Sequence, residues 1–281
     1  MATGSRVVLV TGGSRGIGRA VAQKFLEEGA SVVIAARTAG EVRAAVAELG
    51  RAGRLRGISG DVSRRADVQK IVRAAERISG AVDVLVNAAG VQPPIGRFVE
   101  VDIRRWRENI EINLIGTALC CRAALPAMMA RGRGKIINFS GGGANHSRPN
   151  FSAYASAKAG IVRFTEVLAD ELRPHRIQAY AVSPGIVRTR MIEDILAAPP
   201  ERVGSEYETV RAKERTGFDS ARAAAELVSF LASPAADGLS GRNINAVWDP
   251  WRDWAAGKAV PDEDLYVLRR IDGRNFRKGR P

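Results

Sequence analysis

Residues 6–10, RVVLV, form a short apolar run rich in β-branched residues, and TGGSRGIG follows at once. A helical pattern, RAVAQKFLEEG, then runs to Gly29. A strand that passes through glycines straight into a helix constrains the chain strongly, because few architectures place these three pieces in succession. Gly12, Gly16 and Gly18 permit a tight turn and a close backbone approach. The helix N-terminus beyond them presents unpaired N–H groups to a phosphate. The spacing is TGxxxGxG rather than GxGxxG, and no Lys-Ser/Thr pair follows the last glycine, which excludes a P-loop.

SVVIAAR (31–37) reads as a second strand, a helix follows to about residue 52, and a third strand leads into Gly60-Asp61-Val62. This completes a βαβ unit, and right-handed crossovers make the sheet parallel. A carboxylate at the end of the second strand would bond a ribose 2′-hydroxyl, but here Ala36 is followed by Arg37. Arg37, with Arg15 in the glycine turn, can instead grip a 2′-phosphate through charge-assisted hydrogen bonds. Further on, VDVLVNAAG (82–90) gives a buried strand and a small-residue turn. A helix over about 104–131 carries Asn113 in its interior, where an amide competes for backbone bonds and bends the helix or holds a water. KIINFS (135–140) is a fifth strand and IQAYAV (177–182) a sixth.

Between these last strands lies SGGGANHSRPNFSAYASAK, and Tyr154 and Lys158 stand four residues apart in its helical part. That spacing puts both on one helix face. A Tyr hydroxyl ordinarily titrates at about 10. A nearby ammonium favours the phenolate and lowers that value, making the Tyr a usable general acid or base at neutral pH.

At 281 residues, 46% of them hydrophobic, the chain is long enough for one large α/β domain with a sizeable core. No run reaches the roughly 20 apolar residues of a membrane span, and the N-terminus meets its glycine turn too early for a secretory signal, so a cytoplasmic enzyme is expected. Cys120 and Cys121 are adjacent and His146 and His175 lie far apart, so neither a disulfide nor a metal site is expected. The net charge of +13 comes mostly from Arg interleaved with Asp and Glu, which suits an anionic small molecule better than nucleic acid. Only Arg269 to Arg280 is a truly basic cluster.

TGGSRGIG (11–18), NAAG (87–90), Asn113, YASAK (154–158) and PGIVRT (184–189), in that order and at those separations, resemble the short-chain dehydrogenase/reductase family in its compact single-domain branch. The match spans about residues 6–247. The resemblance implies a three-layer Rossmann fold, a doubly wound seven-stranded parallel sheet with helices on both faces, and a nicotinamide dinucleotide across the strand ends. It implies a phosphate cradle of Gly12, Ser14, Arg15, Gly16, Ile17 and Gly18, adenine flanked by Asp61 and Val62, and ribose lined by Asn87, Ala88, Ala89 and Gly90. Thr189, with Pro184, Gly185 and Val187 before it, would hold the carboxamide end. Tyr154 and Lys158 would work with Asn113 and a Ser, and the Lys would also bond the nicotinamide ribose. The family also implies a homo-dimer or homo-tetramer formed through the Asn113 and Tyr154 helices.

The chain departs from that pattern in three places. The family's catalytic Ser falls at Gly141 by both of its usual counts, so Ser140 is the candidate hydroxyl, with Ser147 and Ser152 as substitutes. The acid-Gly-Gly ending of the last strand is replaced by Trp248, Asp249, Pro250 and Trp251. Residues 251–281 form an extension with a predicted short helix over 261–271, either packed on the body or closing over the substrate. The Rossmann domain is placed at 1–250, and its segment 190–218 reads as a mobile lid over the substrate. The functional expectation is an NADP(H)-dependent oxidoreductase, NAD(H) being less favoured, that interconverts a secondary alcohol and a ketone with Tyr154 as acid/base. Its substrate is small, anionic or sugar-like. The alternatives are a cofactor-retaining epimerase of a sugar-like carbinol and a non-catalytic nucleotide-binding regulator.

Overall fold

The computed structural model describes residues 5–50, 53–262 and 265–269. The apolar run at the start forms β1 (Val7–Thr11), every residue of which is buried. Chain order continues with α1 (Gly16–Glu27), β2 (Ser31–Ala36), α2 (Ala39–Leu49), β3 (Leu55–Ser59), α3 (Arg65–Ser79) and β4 (Val84–Asn87). The seven strands lie in the order β3-β2-β1-β4-β5-β6-β7, all parallel, with β5 at Gly134–Phe139, β6 at Ile177–Ser183 and β7 at Asn243–Asn245. The winding reverses between β1 and β4, which opens a crevice at the carboxyl ends of those two strands.

Both faces of the sheet are covered, which is why its strands read as continuous hydrophobic runs rather than alternating ones. Successive residues still point to opposite sides. Val8 and Val10 pack with Phe25 of α1 and Val228 of α10 (Ala221–Leu231), while Val7 and Leu9 pack on the other face with Ile71 of α3. Each fully buried aliphatic side chain contributes about 1.5–3 kcal/mol.

The helix expected over 104–131 is present but interrupted. It consists of α4 (Ile103–Ile110), a π-helical turn (Glu111–Ile115) and α5 (Gly116–Arg131). Asn113 lies in the π turn, so the awkward polar residue coincides with the distortion. By length and composition this helix could cross a membrane, and 44% of its most apolar window is buried inside the domain.

The segment 190–218 folds into α7 (Arg190–Ala197), α8 (Pro200–Val203) and α9 (Ser205–Thr216). Ile192, Ile195, Val203 and Val210 of these helices form one apolar cluster with Phe151 and Tyr154, both near the start of α6 (Ser152–Leu172). The segment expected to be a mobile lid is thus a set of three helices packed against Phe151 and Tyr154.

The short helix of the C-terminal extension is not at 261–271, where the described residues are non-helical. It is α11 (Trp251–Ala255), directly after the last strand. Trp251 stacks on Phe230 of α10 and donates its indole N–H to the Ala246 carbonyl, and Trp254 meets Tyr266 edge-on. Beyond α11 the chain passes the outer edge of β7, where the Asn243 N–H donates to the Tyr266 carbonyl at 2.8 Å. The extension thus packs on its own domain through aromatic anchors. The basic cluster after Arg269 lies outside the described residues.

Candidate active site

A cleft of about 880 Å³ opens at the carboxyl ends of β1, β2 and β4. Gly12 and the turn from Ser14 to Gly18, Ala36, Arg37, Asp61, Val62, the Ala88–Gly90 turn and Thr189 line it. α1 starts at Gly16 with no side chain capping its first turn, so its amide donors are available to an anion. A Cβ at Gly12 would fall 2.7 Å from the Ala89 nitrogen, and one at Gly18 would fall 2.3 Å from the Gly12 carbonyl oxygen. Only glycine lets the two turns approach this closely, and the result is a backbone cradle that fits a pyrophosphate.

Just past β3, Asp61 accepts from the Ser63 amide and hydroxyl at 2.9 and 2.7 Å. Burial works to raise its pKa, but these bonds and the charges of Arg37 and Arg64 hold the carboxyl below its ordinary value. Arg15 is paired with Glu41 at 3.0 Å, and the same carboxylate takes a weak bond from Ser14. Glu41 therefore competes for the arginine expected to hold a 2′-phosphate. Asn87, Pro184, Gly185 and Val187 lie off the cleft lining. Asn87 donates to Asn138 at 2.9 Å, and its side-chain carbonyl oxygen is buried without a partner among the described residues. The Gly185 turn is held by Asp219, which accepts from the Ile186 amide at 2.7 Å.

Tyr154 and Lys158 stand one turn apart on α6, both nearly inaccessible, with the ammonium 5.4 Å from the Tyr ring centre. Lys158 donates to the Phe139 carbonyl at 2.8 Å, and burial draws its pKa down to about 8. The phenol does not show the net lowering expected from its neighbouring ammonium. Burial raises its pKa, the Arg148 guanidinium acts to lower it, and Glu206 acts to raise it again.

The structure does not bring Ser140 to this pair. Its hydroxyl donates to Asn243 of β7 at 2.7 Å, and the side chain is buried there. A Cβ at Gly141, by contrast, would lie 2.9 Å from the Tyr154 hydroxyl, so position 141 is the one that faces the Tyr. Ser152 accepts from the Trp106 indole at 3.1 Å, and Ser147 is exposed.

Asn113 is fully buried and clamps the strand-four loop from both sides. Its carbonyl accepts from the Val91 amide at 3.2 Å, and its amide donates to the Val91 carbonyl at 2.9 Å. Asn109, which the sequence reading missed, extends the clamp by donating to the carbonyls of Val91, Gln92 and Pro93. The one available signal was its position one helical turn before Asn113.

Comparison with known proteins places this geometry. The short chain dehydrogenase family model matches residues 6–199. The short-chain reductase protein NovJ of Streptomyces niveus is 35% identical over 245 residues, covering 85% of this chain and 91% of that one. Human dehydrogenase/reductase SDR family member 4 is 32% identical over 241 residues, covering 85% of each. Among solved structures, an actinorhodin polyketide ketoreductase variant with NADPH superimposes with a TM-score of 0.79 at 32% identity, covering 87% of this chain and 97% of that one. With a seven-stranded parallel sheet and a glycine turn between its first strand and helix, the chain belongs to the short-chain dehydrogenase/reductase family of NAD(P)-dependent oxidoreductases.

Proposed function

We propose that this protein is an NADP(H)-dependent reductase that converts a ketone into a secondary alcohol, with Tyr154 as the proton donor. One observation carries the reading: the Tyr154 hydroxyl faces the bare backbone of Gly141, one helical turn from Lys158. The nicotinamide cofactor, when bound, supplies the hydride. The chain's own residues bind and orient. The glycine turn and the α1 N-terminus hold the pyrophosphate. Ala36 leaves no carboxylate at the end of β2, and Arg37 with Arg15 offers cations to a 2′-phosphate.

Tyr154 gives its hydroxyl proton to the carbonyl oxygen as negative charge develops there. Lys158 spends one N–H on Phe139 and keeps two for a ribose hydroxyl and the Tyr face. Asn113 and Asn109 fix the loop that walls the site. NovJ is named a reductase, and the actinorhodin protein is a ketoreductase with NADPH, which supports reduction as the direction.

The test is cofactor-coupled reduction of a panel of ketones by the parent and by Tyr154→Phe. A positioned acid contributes about 10²- to 10⁴-fold in rate, and the variant should lose that much while still binding NADPH. Parent-like turnover by the variant defeats the reading. So does interconversion of an alcohol's stereochemistry with no net cofactor consumption.

A further inference from the structure

Arg148 sits in the Gly-rich loop between β5 and α6, six residues before Tyr154, and its side chain is only 8% exposed. The guanidinium lies 4.1 Å above the Phe151 ring centre and 5.5 Å from that of Tyr154. One Nη donates to Glu206 of α9 at 2.7 Å. The side-chain carbonyl of buried Gln92, in the amide orientation that satisfies both groups, accepts from both Nη atoms at 3.0 and 3.1 Å. The Arg148 Nε is buried and has no hydrogen-bond partner among the described residues. Burying an arginine is costly unless it is paired; Glu206 and Gln92 offset that cost here, while the Nε N–H stays unsatisfied close to the Tyr154 ring.

We propose that Arg148 is a second cationic positioning group for Tyr154, acting with Lys158, and that Glu206 of the α7–α9 segment sets how much of its charge the phenol feels. The inference rests on Tyr154 being the acid of the reaction. The position at 141 that would carry a serine hydroxyl is bare, and Arg148 passes beside the same loop, 3.7 Å from where a Cβ on Gly142 would lie.

The groups surrounding the phenol come from distinct elements. Lys158 is on α6, Arg148 on the loop before it and Glu206 on α9, while α7 and α8 contribute the apolar Ile192, Ile195 and Val203. Burial raises the phenol's pKa, the Arg148 charge lowers it and the Glu206 charge raises it, so the two partners of one ion pair act on Tyr154 with opposite sign. Because Glu206 belongs to the segment over the site, a substrate that moves α9 also changes the proton affinity of the Tyr.

The test is the pH profile of ketone reduction together with direct titration of the phenol. Reduction needs the protonated phenol, so activity falls as pH rises through its pKa. Arg148→Met should move that fall to higher pH, Glu206→Gln should move it to lower pH, and Arg148→Lys, which keeps the charge, should stay near the parent. Phenolate absorbance, taken as each protein minus its Tyr154→Phe counterpart, isolates this one among the four tyrosines and needs no turnover. Shifts of opposite sign in both readouts support the inference. No shift, or shifts in the same direction, overturn it. If Arg148→Met does not fold, Glu206→Gln decides, and an unmoved or raised phenol pKa there overturns the inference. Loss of the proposed function is a separate outcome: it is read from full activity in Tyr154→Phe, while the phenolate titration still reports on Arg148.

Discussion

Any side chain at position 141 would begin 2.9 Å from the Tyr154 hydroxyl, closer than a carbon atom can sit without displacing it. Gly141 also has φ near +152°, a backbone conformation that residues with a Cβ rarely adopt. A serine here therefore does not restore a family hydroxyl but pushes the Tyr. Gly141→Ser and Gly141→Ala should each lower kcat/KM by roughly 10- to 100-fold, the scale of a displaced reacting group. Steady-state kinetics on the best ketone of the panel checks this, and a faster Gly141→Ser enzyme contradicts it.

Ser140, one residue earlier, should behave in the opposite way. Its hydroxyl ties the end of β5 to Asn243 in a buried contact and is not bonded to the phenol, so Ser140→Ala leaves an Asn carbonyl without its donor. The expected cost is about 1–3 kcal/mol of stability with kcat within a few-fold of the parent. Urea unfolding and kinetics on the same preparation check both halves. A large drop in kcat at unchanged stability returns Ser140 to the chemistry.

The proposed NADP(H) preference rests on three charges at the mouth of the cleft. Arg37 and Arg15 favour a 2′-phosphate, and Glu41 holds Arg15 in an exposed ion pair. Arg37→Ala should weaken NADPH roughly tenfold or more and leave NADH nearly unchanged, since one charged hydrogen bond contributes about 1.5–3 kcal/mol. Glu41→Gln should tighten NADPH by freeing Arg15. Fluorescence titration of both cofactors reads these constants, and equal or tighter NADH binding in the parent rejects the preference.

The sheet, its parallel order and the glycine turn into α1 were legible because they follow from local signals: a β-branched run, glycines at a turn, and a helix after them. The anomaly of Asn113 was legible too, and it coincides with the π turn. Ser140 was misplaced for a reason intrinsic to extended backbone. Successive side chains leave a strand on opposite sides, so an offset of one residue turns the hydroxyl toward β7 and the bare Gly141 toward Tyr154. The Arg148–Glu206 pair spans 58 residues, and no spacing in the sequence links them. The position of α11 is a tertiary effect of the same kind, since it is Trp251 finding Phe230 that sets that helix.

Lys158 carries a cost that the fold bears for the site. Its buried ammonium titrates at about 8 instead of the ordinary 10.5, because burial disfavours the charged form, a displacement equivalent to about 3 kcal/mol. For a folded-state pKa below the unfolded one, the unfolded chain holds the extra proton between the two values, so stability rises with pH across that window. Below about pH 8 the charge is present in both states and the penalty is complete. Between about 8 and 10.5 the folded lysine is already neutral, and the penalty fades. Lys158→Met removes the penalty at the expense of the bond to the Phe139 carbonyl, which is about 1 kcal/mol. The variant should therefore be inactive, more stable than the parent at neutral pH, and progressively less advantaged as pH approaches 10.5. Urea midpoints of both proteins across that range check it, and a stability difference that does not narrow with rising pH refutes the assignment of a strained, charged Lys158.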